Sequence, residues 1–450
     1  MTTELRLARL LVSGSDRREW WRITLTAFGA LLATGIALVA VVLGALRGHH
    51  PIGFAGGLPA NPGERRGIVI ALLLLLVPVF GFLGQCARIG AVHRDRRLAN
   101  LRLAGATPRQ VRRIAAAEAG LTCLAGSLLA TVFSVLVLLT NWRVPSGYAW
   151  AGIAAVAAGV PVVGAAVSVL ALRRVVASPL GWVRRVRPQT RPGPMFLAAV
   201  VLFAGAACLA YVSMSDHRSR GAVLSGPLLV FTLLLVTGTA ALWLVGATAR
   251  LTGRLLAART GRPAVLIAAE RLRDDPWAAA RTHAAVLLVT VVATAFVGIR
   301  QTLLEVLNSQ KHLAESRDFY TGGIDLTAAA IGVALLIVLS GLAVGTAESL
   351  ATRRRGLAAQ AAAGVPRAVL GRALLLETAL PLAPAVLLAG LGGMAIGTGY
   401  AALTDDGGSR SVPWAALLVP VAVYATCLLA AATSLPLLRR SVHPGELRYA

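Results

Sequence analysis

Charged residues are scarce in this chain of 450 residues: they make up 14% of it, against roughly 25% in a soluble globular domain. Lysine is almost missing, because Lys311 is the only lysine among the 44 basic residues. A nucleotide-binding P-loop needs a lysine after glycines to reach the phosphates, and the sequence around Lys311 (SQKH) offers no such loop. We therefore expect this chain neither to bind nor to hydrolyse ATP by itself.

Signatures of catalysis and metal binding are also missing. The four cysteines, Cys86, Cys123, Cys208 and Cys427, lie in or beside apolar runs, and none has the spacing of a metal site. They are expected to be small packing residues. There is no GxSxG, no HExxH and no pair of catalytic carboxylates. The sequence therefore predicts no enzyme, no metal site and no cofactor in this chain.

Long apolar runs dominate what is present, because 57% of the residues are hydrophobic. A helix needs about 20 apolar residues to cross the hydrocarbon core of a membrane. About ten runs meet that length, which predicts an all-α polytopic membrane protein. The predicted spans are 23–46, 67–87, 117–140, 147–172, 194–212, 226–249, 283–300, 326–347, 373–400 and 414–438.

The net charge of +25 is unevenly distributed along the chain. Alternate gaps between the runs hold 34 of the 44 basic residues, and these gaps are 1–22, 88–113, 173–191, 250–281, 353–372 and 439–448. Since basic residues stay on the cytoplasmic side, both termini are predicted to be cytoplasmic. Nucleic-acid binding is not expected, because the arginines flank spans and no soluble domain carries them.

An internal duplication organises the chain. Residues 94–118 align without a gap with residues 353–377, and eight aligned positions are identical, among them Gly105 with Gly364. Each block lies between two apolar runs. The predicted plan is a first four-span unit at 1–187, two linking spans at 188–260 and a second four-span unit at 261–450. Both units begin on the same side, so the repeats are predicted to be parallel.

The first block resembles a motif of the FtsX-like permease family, the mechanotransmission class of ABC transporter permeases. The residues that carry the resemblance are 100–111, NLRLAGATPRQV, followed by Glu118. The second copy departs from the motif, because Ala361 replaces the arginine and Val365-Pro366 replaces Ala-Thr. The ten-span layout is similar to bacitracin-export permeases, but the gap at 301–325 is too short for their large extracellular domain.

This resemblance implies that separate cytoplasmic ABC ATPase subunits, which bind the ATP and magnesium, dock on the repeated motif. Two motif copies imply two ATPase subunits per chain. The residues expected to form the docking surfaces are Arg97, Leu101, Arg102, Leu103, Gly105, Arg109, Val111, Arg112, Arg355, Leu357, Gly364, Arg367 and Arg372. The alternative interpretation is that the arginines only fix topology and contact lipid phosphates.

Two acidic residues begin the spans that follow the motif, Glu118 and Glu377. A carboxylate near a helix N-terminus is stabilised by the helix dipole, so a structural role is expected. Pairing with an arginine of the preceding loop is also possible. A direct part in coupling is the alternative.

The centres of the ten runs carry no Asp, Glu, Lys or Arg. Intramembrane charge marks proton and ion pathways, so its absence disfavours a proton-coupled secondary transporter. Two pairs, Gly341 with Gly345 and Gly393 with Gly397, have the spacing of close helix contacts.

The function expected from these observations is that of a permease subunit, which moves or extrudes a lipophilic or peptide substrate when the partner ATPases hydrolyse ATP. The alternatives are a mechanotransmission protein that moves no solute and, less favoured, a secondary transporter. The predicted location is a bacterial cell membrane with multiple spans, in contact with membrane lipid. The arginine-rich, lysine-poor composition indicates a GC-rich bacterial source.

Overall fold

A computed structural model gives the fold, and it contains helices and no strand over the part of the chain that it describes. The described residues are 17–50, 53–86, 100–101, 103–141, 146–171, 222–309, 312–313, 315–403, 413–436 and 438. The α-helices in these ranges are α1 (Arg17–Ala45), α2 (Pro62–Cys86), α3 (Pro108–Asn141), α4 (Gly147–Ala171), α5 (Ala222–Arg259), α6 (Pro263–Asp274), α7 (Pro276–Ser309), α8 (Arg317–Thr352), α9 (Arg354–Ala362), α10 (Arg367–Leu403) and α11 (Leu418–Ala432). Two short 3₁₀ helices, Phe54–Ala60 and Trp414–Leu417, precede α2 and α11.

The all-α polytopic class is confirmed. Among the described residues, eight helices are long and apolar enough to cross a membrane. They are α1, α2, α3, α4, α7, α8, α10 and α11, and each contains or overlaps one predicted span. The predicted span 226–249 falls within α5. The predicted span 194–212 lies outside the described residues, so the total of ten remains a prediction.

The first of two compact units consists of α1, α2, α3, α4 and α8. In it, α1 packs against α2, α3 and α4, and α3 packs along α4. Helix α8 lies along α2 and also contacts the 3₁₀ helix Phe54–Ala60. The apolar core of this unit brings Ala30 and Ala33 of α1 against Val79, Phe82 and Leu83 of α2.

The second unit consists of α5, α6, α7, α9, α10 and α11. Helices α5, α7 and α10 pack against one another, and the short α6 lies against α5 and α10. Helix α11 covers α10 and α7. Buried alanines such as Ala385 and Ala389 on α10 let these helices approach closely.

Glycines mark the closest helix contacts in each unit. In the first unit, a Cβ atom on Gly126 of α3 would overlap the backbone of Ala27 in α1. In the second, a Cβ on Gly393 would lie 2.7 Å from the carbonyl oxygen of Val291, while one on Gly397 would lie 3.1 Å from the Cα of Gly298. The predicted close contact at Gly393 and Gly397 is thus present.

The other predicted glycine pair makes ordinary contacts. A Cβ on Gly341 would lie 3.7 Å from Phe82, and one on Gly345 would lie 3.6 Å from Gln85. These are van der Waals distances, so α8 and α2 do not need glycine there in order to pack.

The compact units cut across the division that the sequence predicts. Helix α8 corresponds to the second span of the predicted unit 261–450, but it packs on α2 and belongs to the first compact unit. Side-chain packing defines the compact units, whereas the predicted division follows the repeated sequence. The boundaries at 187 and 260 therefore stay a prediction about the repeat.

Candidate functional site

The candidate site is the pair of segments between the second and third spans of each predicted repeat. We call residues 100–111 the first elbow and the aligned residues 359–370 the second elbow. In the first elbow, Gly105 has φ of 97°, a left-handed conformation that glycine adopts without strain. The amide of Ala106 donates to the carbonyl of Leu101 at 3.0 Å. This six-residue hydrogen bond around a left-handed glycine is a Schellman turn, which ends one helix and redirects the chain.

The second elbow has the same turn. Gly364 has φ of 88°, and the amide of Val365 donates to the carbonyl of Gln360 at 3.1 Å. The Gly364 amide donates to Ala361 at 3.0 Å, which is the inner bond of the same motif. The predicted breaking of the chain at Gly105 and Gly364 is therefore observed at both positions.

A capping box starts α3 directly after the first elbow. The hydroxyl of Thr107 accepts from the amide of Gln110 at 3.3 Å, and the side-chain oxygen of Gln110 accepts from the Thr107 amide at 2.8 Å. Pro108 is the first residue of α3, where the backbone amide has no acceptor within the helix, so the missing amide hydrogen of proline costs no hydrogen bond. The two reciprocal bonds fix the angle at which the chain enters α3.

Apolar residues pack the inside of each elbow. Val111 and Ala115 of α3 are buried, and Leu101 and Ala106 pack against them. In the second elbow the aligned Leu370 is 1% exposed, and Leu357 on α9 is 2% exposed. The predicted docking residues Val111 and Leu357 therefore lie in the interior of their own units, and Leu101 is half-buried.

Other predicted docking residues form an open surface. Leu103 is 77% exposed, although it is a large apolar side chain on a basic segment. Arg109, Arg112, Arg367 and Arg372 are also exposed. Position 355 lies on α9, whereas the predicted residues Arg97 and Arg102 lie outside the described part of the chain.

A buried ion pair fixes the first acidic residue. Glu118 is 3% exposed, and its Oε1 accepts from Nη2 of Arg22, near the start of α1. The Arg22 side chain is 8% exposed, so both charges are withdrawn from solvent. The expected stabilisation by a helix N-terminus is wrong, because Glu118 lies ten positions after the first residue of α3, and Glu377 lies equally far along α10. The ion pair with Arg22 instead joins α3 to α1.

The second acidic residue has two arginine partners. Oε1 of Glu377 accepts from Nη1 of Arg353 at 2.6 Å, and Oε2 accepts from Nη1 of Arg271 at 3.1 Å. The Glu377 side chain is 20% exposed. Arg353 directly precedes α9 and Arg271 lies on α6, so one carboxylate connects three segments of the second unit.

Sequence reasoning missed Arg22 and Arg271. Both precede the first span of their predicted repeat, and both lie close to a tryptophan, Trp21 or Trp277. That neighbourhood was a weak signal, because arginines and tryptophans commonly flank membrane spans. The arginine expected as a partner, from the preceding loop, is correct for Arg353 in the second unit.

Each elbow is joined to its acidic residue by an unbroken stretch of α-helix. Glu118 lies ten positions after Pro108 on α3, and Glu377 lies ten positions after Arg367 on α10. At the helical rise, each stretch is about 15 Å long. Each of these stretches therefore connects its elbow directly to the ion pair, and we call it the arm.

Comparison with known families gives one match. Residues 68–180 match the family model described as FtsX-like permease C-terminal. This range covers most of α2, the first elbow, α3 and α4. A comparison with curated proteins gives no match. Residues 68–180 are therefore similar to the C-terminal region of FtsX-like permeases, within a chain whose described helices are those of a multi-pass membrane protein.

Proposed function

We propose that this chain is a permease subunit moved by cytoplasmic ABC ATPases that dock on its two elbows. FtsX-like permeases typically work with such ATPase partners. The observation that carries the proposal is the shared turn of the two elbows at Gly105 and Gly364, each leading into a long helix. An arginine-rich segment that only fixed topology would not need the same Schellman turn twice.

The exposed surface of the first elbow suits a protein partner. Leu103 offers an exposed apolar contact, and Arg109 and Arg112 at the start of α3 are exposed positive charges. Interfaces of this kind combine an apolar anchor with arginines that bind carboxylates in pairs of hydrogen bonds. The buried Val111 and Ala115 support this surface from behind by keeping the elbow rigid.

Motion would pass from the elbow to the spans through the ion pairs. In the first unit the arm of α3 ends at Glu118, and the Arg22 pair connects it to the start of α1. In the second unit the arm of α10 ends at Glu377, which is connected to α6 through Arg271. Closure of the ATPases around ATP and magnesium would thus displace α3 together with α1 in the first unit and α10 together with α6 in the second.

One ATPase subunit at each elbow gives two per chain, with both elbows and both termini on the cytoplasmic side of a bacterial cell membrane. The substrate is proposed to be a lipophilic molecule or a peptide taken from the bilayer. A mechanotransmission role without solute movement is the second candidate. ATP-dependent flux in vesicles that contain the chain and its ATPase would separate the two, because the second candidate requires none.

Docking is tested by co-purifying the full chain with the ABC ATPase encoded nearest to it. Leu103→Ser combined with Arg109→Gln and Arg112→Gln should reduce the bound ATPase at least tenfold. These three side chains are exposed, so the variant is expected to fold as the unchanged chain does.

A matched variant on α5 controls for general loss of charge. Leu255→Ser combined with Arg250→Gln and Arg254→Gln changes the same residue types on another exposed helix end. It should retain the ATPase. Equal loss in the two variants would contradict a specific elbow site, as would cysteine labelling that places residue 103 outside intact cells.

A further inference from the structure

The segment that joins α1 to α2, at the end of α2 opposite to the first elbow, encloses a buried arginine. We call the described residues of this segment, 46–50 and 53–65, the cap. Arg65 is 3% exposed. Its Nε donates to the carbonyl of Pro59 at 3.0 Å, and its Nη2 donates to the carbonyls of Gly48 at 2.6 Å and Ala60 at 2.9 Å. One guanidinium thus binds the carbonyl of Gly48, near the start of the cap, and the carbonyls of Pro59 and Ala60, near its end.

The charge of this guanidinium is not balanced. The ion pairs found among the described residues do not include Arg65, and its Nη1 is buried with no hydrogen-bond partner there. A buried cation without a counter-charge is costly, and neutral carbonyls compensate it only in part. Arg65 also lies in the first turn of α2, where the helix dipole adds positive potential.

Further positive charge surrounds the cap. Arg47 and Arg66 accompany Arg65 in residues 46–66, and Glu64 is the one acidic residue there. Basic residues are otherwise concentrated in the gaps on the elbow side of the membrane, so this cluster departs from the general distribution. Arg47 is held in place by the ring of Tyr148, with its Cζ atom 5.3 Å from the ring centroid.

The cap lies at the depth of lipid headgroups. Arg65 precedes the predicted start of the second span, residue 67, by two residues, or about 3 Å of helix. The headgroup layer extends roughly 5–7 Å beyond the hydrocarbon core on each side. Two glycines in left-handed conformations, Gly48 with φ of 79° and Gly57 with φ of 87°, form bends of the cap.

We propose that the cap is a binding site for a phosphate anion, supplied by the headgroup of a membrane phospholipid, with Arg65 as the central ligand. A phosphate oxygen pairs with a guanidinium through two charge-assisted hydrogen bonds, which are stronger than bonds to neutral carbonyls. The anion takes the unpartnered Nη1 and replaces one carbonyl of the cap. The N-terminus of α2 adds attraction at longer range.

The test uses the full chain in detergent micelles and three probes: dihexanoyl phosphatidylglycerol, inorganic phosphate, and dihexanoylglycerol, which lacks phosphate. Amide hydrogen exchange of residues 46–65 and the apparent unfolding temperature are measured for each. The phosphatidylglycerol should slow exchange in the cap and raise the unfolding temperature, and dihexanoylglycerol should do neither. Arg65→Gln should weaken the phosphatidylglycerol response at least tenfold.

The neighbouring Arg66→Gln is the matched control, because Arg66 is exposed and carries the same charge. It should keep most of the response. Equal weakening by the two substitutions would overturn the site in favour of diffuse surface charge. An equal response to dihexanoylglycerol, measured on the unchanged chain and so independent of whether a variant folds, would overturn the role of phosphate. Equal protection by inorganic phosphate would overturn the lipid as the source and keep the anion site.

Discussion

The two elbows have the same backbone turn but are held by different side chains. In the first unit, Glu118 and its partner Arg22 are both deeply buried. In the second, Glu377 pairs with Arg271 and Arg353 and is partly exposed. A deeply buried pair withstands little displacement, because charges that are pulled apart there are not solvated. Water reaches the charges of the second group when they separate, so we expect the second elbow to tolerate more movement.

The helices that follow the elbows also differ, in their content of proline. Helix α3 contains no proline after its first residue, whereas α10 contains Pro381 and Pro384. Each proline removes one backbone hydrogen bond of the helix. Neighbouring helices contact the affected turn: the Thr248 hydroxyl donates to the carbonyl of Pro381 at 3.5 Å, and the Tyr424 hydroxyl donates to that of Ala379 at 3.4 Å. We therefore expect α10 to bend more easily than α3 just beyond its ion pair.

The largest effect should come from breaking the ion pairs. Glu118→Gln leaves Arg22 buried and unpaired, which costs about 3–5 kcal/mol of folding stability. Glu377→Gln should cost less, on the order of 1 kcal/mol, because its arginines can reach solvent. The apparent unfolding temperature in detergent measures the difference, and the exposed Glu270→Gln serves as a control with almost no effect.

A double-mutant cycle sharpens this comparison. Arg22→Met combined with Glu118→Gln should recover much of the stability lost in Glu118→Gln, since no buried charge is then left alone. Equal losses in Glu118→Gln and Glu377→Gln would contradict the difference in burial on which the comparison depends.

The closest helix contacts give the next largest effect, and here the two units should respond alike. Gly126→Ala places a methyl group in the backbone of α1, and Gly393→Ala places one against the carbonyl oxygen of Val291. Each should lose about 1–3 kcal/mol by forcing its helices apart. Gly35→Ala on α1 has no atom within 4 Å of the new methyl group and should be tolerated. A tolerated Gly126→Ala would mean that α1 and α3 pack less closely than the structure shows.

The prolines of α10 should produce a smaller, local effect. Pro381→Ala with Pro384→Ala restores two helix hydrogen bonds, each worth about 1 kcal/mol. Amide exchange of residues 377–388 should slow by roughly fivefold or more for each restored bond. The same region of α3, residues 118–129, should be unchanged in that variant. Unaltered exchange in α10 would show that its helix is already as rigid as α3.

Sequence patterns predicted the parts of this molecule that depend on local composition. Apolar runs located the eight spans that the structure describes, because twenty uncharged residues have few other stable placements. The left-handed turns at Gly105 and Gly364 followed from glycine in a motif that aligns twice. These predictions needed no knowledge of which helix contacts which.

The parts that depend on long-range packing were not predicted. The pair of Arg22 with Glu118 spans 96 positions, and nothing in the sequence selects Arg22 among the arginines that flank the spans. Val111 and Leu357 were expected on the docking surface because of their place in the motif, yet the turn folds them inward. The packing of α8 on α2 was also unforeseen, because sequence repeats do not specify which neighbours a helix will choose.

The smallest effect should come from the capping box of Thr107 and Gln110, which only the first elbow possesses. Thr107→Ala removes the bond that the Thr107 hydroxyl accepts from the Gln110 amide and the bond that it donates to the Gln110 side chain, and should cost about 1 kcal/mol. The aligned positions in the second elbow are Pro366 and Val369, and neither side chain can make these bonds. Pro366→Thr combined with Val369→Gln would install the box, and it should stabilise the start of α10 by a similar amount.

The transplanted box separates two explanations of the second elbow. If the second elbow is loose because it lacks a capping box, the installed box should slow amide exchange at residues 367–370 to the rate of residues 109–111. If its looseness comes from the prolines and the divided ion pair, exchange should slow at residues 367–370 and remain fast at residues 377–384. We expect the second result, because a capping box orders only the first turn of its helix, and Pro381 lies about 20 Å further along α10.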